Sequence, residues 1–237
     1  MPPFKFKKFS IHQERSALKV GTDAMVFGAL IDANNHEHCL DIGTGTGVLS
    51  LMLAQKNQQL KITAIEIDGN AFEDALLNFN NADFTNSFHL INNDFFSHEF
   101  HQKFDLIISN PPFFNDSFPS PNHLRKIARN SNQEFITCFF SKNANIITDQ
   151  GKLWVILPSD QVQFWNRTAN IYGFKLIHNK SVFGKPEKLI RNVCVYSRTG
   201  TITNWNEEDF CIRTLSGFYT RQYIEMTSDF HDRIPVK

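Results

Sequence analysis

Apolar positions fall into short blocks separated by polar and glycine-rich punctuation. HCLDIG (38–43) reads as a buried strand closed by glycines. GVLSLMLAQKN (47–57) has apolar residues at 48, 49, 51, 52 and 53, which predicts a helix packed on a sheet. KITAIEID (61–68), SFHLINND (87–94) and KFDLIISN (103–110) predict three more strands, with a helix over NAFEDALLNFNNA (70–82) between the first two. Further along come a helix over 133–148, a strand at GKLWVILP (151–158) and a helix over 160–172. FKLIHNKSVF (174–183) and KLIRNVCVYSR (188–198) have only a turn signal, FGKPEK, between them, which predicts an antiparallel hairpin. Near-continuous apolar strands belong to parallel sheets covered on both faces. The pattern therefore predicts an α/β fold: a seven-stranded, mostly parallel sheet, helices on both faces, and an antiparallel C-terminal hairpin. Upstream, Thr22-Asp23 predicts a cap for a helix over 24–31.

The chemistry-bearing residues sit where strands end. The first strand runs into Asp41-Ile42-Gly43-Thr44-Gly45-Thr46-Gly47. Three glycines at alternate positions let the chain turn sharply and approach a ligand closely. The spacing is GxGxG, neither the GxGxxG of dinucleotide enzymes nor a Walker loop. The second strand ends in Glu66-Ile67-Asp68, and an acid there is placed to accept bonds from ribose hydroxyls. Asp68 fits a cap for the next helix better. The third strand ends in Asn93-Asp94-Phe95.

The fourth strand ends in Asn110-Pro111-Pro112-Phe113. Two prolines stop the strand and stiffen the backbone. The Asn110 amide oxygen and the Pro111 carbonyl are acceptors, and Phe113 offers an aromatic face. Together they suit a planar group bearing an NH₂. Two acceptors on its hydrogens would aim the nitrogen lone pair at an electrophile, and alignment with electrostatic complementarity would supply most of the acceleration.

Composition narrows the class without naming the chemistry. The 237 residues are 41% hydrophobic and contain 24 Phe, which excludes a disordered chain. The 11 Gly and 9 Pro exclude a collagen-like or linker protein. The start lacks the apolar run of a signal peptide and no stretch is long enough to span a bilayer, so a cytoplasmic protein without membrane contact is expected. Four scattered cysteines predict reduced thiols. The pairs His36-x-His38 and His98-x-x-His101 have no third ligand nearby, so no metal is expected. Net charge is zero, yet residues 21–118 carry three basic and thirteen acidic residues and residues 119–200 carry twelve basic and four acidic. If the basic segments converge, they give a positive surface on a neutral protein.

The run from Asp41 to Gly47 resembles the DxGxGxG signature of S-adenosylmethionine (SAM) methyltransferases, and the strand order resembles their class I fold. Asn110 to Phe113 resembles the [DNS]PP[YFW] motif of enzymes that methylate planar amino or amide nitrogens. The resemblance implies that Asp41, Gly43, Thr44, Gly45 and Gly47 hold the methionine part of SAM, that Glu66 with Ile67 takes the ribose, and that Asp94 and Phe95 take the adenine. It implies that Lys19, Gly21, Thr22 and Asp23 close over the methionine end, and that Asn110, Pro111, Pro112 and Phe113 hold the acceptor base. FKFKKFSIHQERSALKVGTDAMVFGAL (4–30), ISNPPFF (108–114), Arg125-x-x-Ala128-Arg129 and GFYTRQYIEMTSDF (217–230) extend the likeness to the bacterial tRNA1(Val) adenine-37 N6-methyltransferases over nearly the whole chain.

That family implies a tRNA anticodon loop as partner. Such a base can be splayed out and stacked on an aromatic, with Arg125, Lys126 and Arg129, and Lys5, Lys7 and Lys8, as candidate phosphate contacts. RNA guanine-N2 methylation, protein glutamine-N5 methylation and a non-catalytic SAM- or RNA-binding module remain alternatives. A monomer of one domain is expected, residues 1–36 closing over the cofactor and 200–237 forming a C-terminal extension.

Overall fold

A computed structural model describes residues 2–17, 19–111, 122–200 and 209–232, with residues 122–132 as backbone. The expected strands form β3 (His38–Ile42), β4 (Lys61–Glu66), β5 (Phe88–Asn92), β6 (Phe104–Ser109), β7 (Ile147–Leu157), β8 (Lys175–Lys185) and β9 (Lys188–Ser197). Two short strands precede them, β1 (Phe4–Lys5) and β2 (Ser10–Ile11), paired antiparallel as a separate ribbon. The helices are α1 (Thr22–Leu30), α2 (Val48–Lys56), α3 (Gly69–Asn81), α4 (Asn122–Ile146), α5 (Val162–Ile171) and α6 (Arg221–Thr227). The main sheet has the order β10-β8-β9-β7-β6-β3-β4-β5, where β10 is Phe210–Cys211. β3 to β7 are mutually parallel, and β9 is antiparallel to both β7 and β8.

The sheet separates two apolar layers because alternate strand residues face opposite sides. One layer packs Cys39, Ile62, Leu106 and Trp154 against α1, α2 and the N-terminal phenylalanines Phe6 and Phe9. The other packs Leu40, Ile65, Ile107 and Val155 against Phe139, Phe140 and Trp165 of α4 and α5.

Three expectations are corrected. α4 starts at Asn122 rather than 133. β7 starts at Ile147 rather than 151, because Ile147 pairs with Phe104 and a register shift before Leu106 absorbs the intervening polar residues. α1 starts at Thr22 with Gly21 at its cap, so the side chains of Thr22 and Asp23 do not cap it; Asp23 instead binds Arg191, Nε to Oδ2 at 2.8 Å. β10, which runs parallel to β8, has no counterpart in the seven expected strands, since a two-residue strand leaves no periodic trace.

Candidate active site

The parallel strands end at one edge, where open α/β sheets bind ligands. The turn after β3 is held from within. Gly43, Gly45 and Gly47 have φ of 68°, 58° and 79°, the left-handed region that favours glycine. A Cβ on Gly47 would come within 2.5 Å of the Phe79 ring, whereas one on Gly43 or Gly45 would meet nothing. These two glycines thus turn their bare faces to open space. Asp41 is fully buried, and its Oδ2 accepts from the hydroxyls of Thr44 and Ser50, both at 2.7 Å. Its Oδ1 is buried without a hydrogen-bond partner among the described residues. Burial pushes the Asp41 carboxyl up to about 6 despite those two bonds. Asp41 thus shapes the loop from behind.

Glu66, at the end of β4, locks the glycine loop to its neighbour. Its Oε2 accepts from Gly45 N at 2.8 Å and its Oε1 from Asp68 N at 2.9 Å. A carboxylate has about four acceptor positions, so two remain for a ligand. Asp68 caps α3 by accepting from Ala71 N at 2.8 Å. At the end of β5, Asp94 Oδ1 accepts from Phe96 N at 3.1 Å. Phe95 is buried against Phe96, Phe100 and Phe139. At the end of β6, Ser109 Oγ donates to Ile42 O at 3.0 Å, pinning that strand to β3. Next to it, Asn110 Oδ1 is buried and has no hydrogen-bond partner among the described residues.

These groups meet around one cavity of about 410 Å³, within the roughly 300–1,000 Å³ usual for small-ligand sites. Gly43, Gly45, Glu66, Ile67, Asp94, Phe95, Asn110 and Pro111 all line it. Ile67 is 68% exposed at its rim. Pro112 and Phe113 lie outside the described residues.

Other expected site residues stand away from the lining. Asp41, Thr44 and Gly47 sit behind it. Lys19 Nζ donates to the carbonyls of Gln13 and Ser16, so it braces residues 13–16. Gly21 and Thr22 begin α1, and Asp23 faces Arg191. Lys7 and Lys8 line a groove with Ala29, Ile31 and Lys56 at the C-terminal ends of α1 and α2, on the opposite edge of the sheet; Lys5 lies in the β1–β2 ribbon. Arg125, Lys126 and Arg129 fall on the first turns of α4, and their side chains lie outside the described part.

Sequence reasoning missed the wall made by Ser16 and Ala17. That segment is fastened to α3. Asp74 Oδ2 accepts from Arg15 N (3.0 Å), Ser16 N (2.8 Å) and Ser16 Oγ (2.7 Å). Asn78 accepts from His12 N at 2.7 Å and donates to His12 O and Thr46 O. The available signal is an acid and an amide four apart on the α3 face that also carries Ala71 and Ala75, both buried with them.

A parallel sheet with glycine-turn, strand-end acid and strand-end asparagine around one cavity defines a class I methyltransferase. The description "Methyltransferase small domain" matches residues 15–164. A protein of Flavobacteriaceae bacterium (strain 3519-10), named tRNA1(Val) (adenine(37)-N6)-methyltransferase, is 32% identical over 98% of this chain and 99% of its own length. One of the same name from Tolumonas auensis is 34% identical over 98% and 97%. The chain belongs to the methyltransferase small-domain family, among the relatives that carry that name. Among solved structures, a methyltransferase from Pyrococcus furiosus has a TM-score of 0.57 at 18% identity, covering 80% of this chain and 89% of its own. A ribosomal protein L11 methylase from Lactobacillus delbrueckii has 0.57 at 13%, covering 75% and 77%. These two share the fold.

Proposed function

We propose that this chain transfers a methyl group from SAM to N6 of adenine 37 in tRNA1(Val). The observation that carries the reading is Asn110 Oδ1, a buried acceptor without a partner among the described residues, on a residue that lines the cavity together with the glycine turn. Near-full-length likeness to relatives of that name supplies the substrate.

The residues fit SAM. Gly43 and Gly45 leave backbone open to the methionine part, Glu66 keeps two acceptor positions for the ribose, and Asp94 with Phe95 flanks the place of the adenine. SAM supplies a methyl already activated by its sulfonium. The protein's part is to bring the acceptor nitrogen into line with it. Asn110 Oδ1 and the Pro111 carbonyl accept from the two amino hydrogens, which favours the pyramidal nitrogen and directs its lone pair. Burial strengthens these bonds, because no water competes for the asparagine oxygen. Pro112 and Phe113 lie outside the described residues, and the family likeness alone assigns Phe113 to stacking on the base. The proton on the product nitrogen is strongly acidic and leaves to water or along the Asn110 bond.

No helix among the described residues is long and apolar enough to cross a membrane. The reading places the enzyme in the cytoplasm, acting as a monomer on the anticodon stem-loop. The test is methyl-labelled SAM with purified protein and unmodified tRNA, followed by nucleoside analysis. Label in N6-methyladenosine at position 37 is expected. Label in N2-methylguanosine, in a protein glutamine or nowhere would overturn the reading.

A further inference from the structure

The β8–β9 hairpin is longer than the sheet that supports it. β7 ends at Leu157, opposite Asn192, which in turn pairs with Ser181. Beyond that level Val182–Lys185 and Lys188–Arg191 continue as a two-stranded ladder. Four residues per strand amount to about 13 Å. β8 runs parallel to β3 to β7, so this overhang projects from the same edge that holds the glycine turn and Asn110.

The projection is stiff. β10 extends it as a third strand, Phe210 opposite Val182 and Cys211 opposite Phe183, and Arg213 N donates to Gly184 O at 3.1 Å. The loop that follows is closed by Thr214 N donating to Phe218 O at 2.8 Å. Within it the Arg213 guanidinium lies 4.0 Å from the Tyr219 ring centroid and donates to Gly217 O. The Arg191–Asp23 ion pair ties the hairpin to the first turn of α1, just after the segment that walls the cavity.

Charge divides along this edge. Glu66, Asp68 and Asp94 stand on the glycine-turn half, where a cationic sulfonium would bind. The hairpin carries five Lys and Arg residues and one acid, Glu187 in its turn; Asp209 precedes β10. Lys185 and Lys188 are exposed at the tip. Beside them are large apolar side chains in water: Leu189 is 41%, Leu215 78% and Phe218 40% exposed. Exposed lysines next to an aromatic suit a single-stranded polyanion with bases to stack.

We propose that this three-stranded projection is the arm that docks RNA, Lys185 and Lys188 holding phosphates of the anticodon loop while the target base enters the cavity. The proposal rests on the methyltransferase reading above. It assigns docking to the site edge rather than to Lys7 and Lys8 on the far edge.

The test is Lys185→Gln/Lys188→Gln in the full chain, with steady-state kinetics on tRNA and binding of an anticodon stem-loop RNA over a salt series. KM and Kd should rise about tenfold near 0.1 M salt, kcat should hold within about twofold, and the log–log salt slope should fall by about 1.4 for two lost contacts on a single strand. SAM affinity and Tm should not move. An unchanged KM and slope would overturn the arm. So would a loss found in Lys7→Gln/Lys8→Gln instead, or a change in oligomeric state in place of RNA affinity. A wild-type protein that leaves tRNA unmethylated overturns the parent reading, and the binding series then decides the arm by itself.

Discussion

Asp41 and Asp105 lie on adjacent strands of one sheet and face its opposite edges. Asp105, at the start of β6, accepts from Glu37 N and His38 N, both at 2.8 Å, with His36 Nδ1 at 3.5 Å. Burial alone would raise its pKa, but the bonds from His36, Glu37 and His38 outweigh it and bring the carboxyl down to about 2. Asp41, at the site edge, has two hydroxyl donors on one oxygen and no partner on the other among the described residues, and burial pushes it up to about 6. Asn110, just after β6 on the same edge, also keeps a buried acceptor without a partner among the described residues. Asp105 fastens two strands with bonds on both of its oxygens. Asp41 and Asn110 each keep one oxygen without a partner among the described residues, and of the two only Asn110 lines the cavity where a ligand could supply a donor.

Five substitutions put that contrast to the test. The largest effect is expected at Asn110→Ala. Losing an acceptor aimed at the reacting nitrogen should lower kcat by about 10²–10³. SAM affinity and Tm should stay near wild type, because no bond among the described residues depends on Asn110 Oδ1. Full turnover would show that the unmatched oxygen has no catalytic part.

Gly47→Ala comes next, as a change in stability. A left-handed backbone and a ring 2.5 Å from the new methyl group together should cost about 2–4 kcal/mol in denaturant melts. The loss would exceed that of Gly45→Ala, which has the same backbone strain without the collision.

The smallest effect separates the two aspartates by pH. Asp105 is held below its ordinary 3.8, so its contribution is present above about pH 4 and fades as pH falls through about 2. Asp105→Ala should lose about 1–2 kcal/mol at pH 7, with two backbone donors left unmatched. Asp41 is raised, so the sign reverses. The folded protein keeps that proton to about pH 6, and the stability it contributes below pH 4 is lost as pH climbs through 6. Melts of Asp41→Asn between pH 4 and 7 should lack that decline. A wild-type slope retained in the variant would remove Asp41 as its source.

What the sequence determined by itself is what neighbouring residues decide together. Strands β3 to β9 are visible because apolar runs and their breaks are local, and Gly43, Glu66 and Asn110 are visible because each terminates such a run. The helix cap by Asp68 is equally local. The rest was settled by partners far apart in the chain. Ser16 meets Asp74 across 58 residues, Asn78 meets His12 across 66, and Arg191 takes Asp23 from its helix cap across 168. Lys7 and Lys8 are basic in any reading, but only the direction of α1 and α2 carries them to the edge away from Asn110. The hairpin's overhang depends on where β7 stops beneath it. Hydrogen bonds and charge pairs act through space over a few ångströms, and folding alone decides which residues come within that reach.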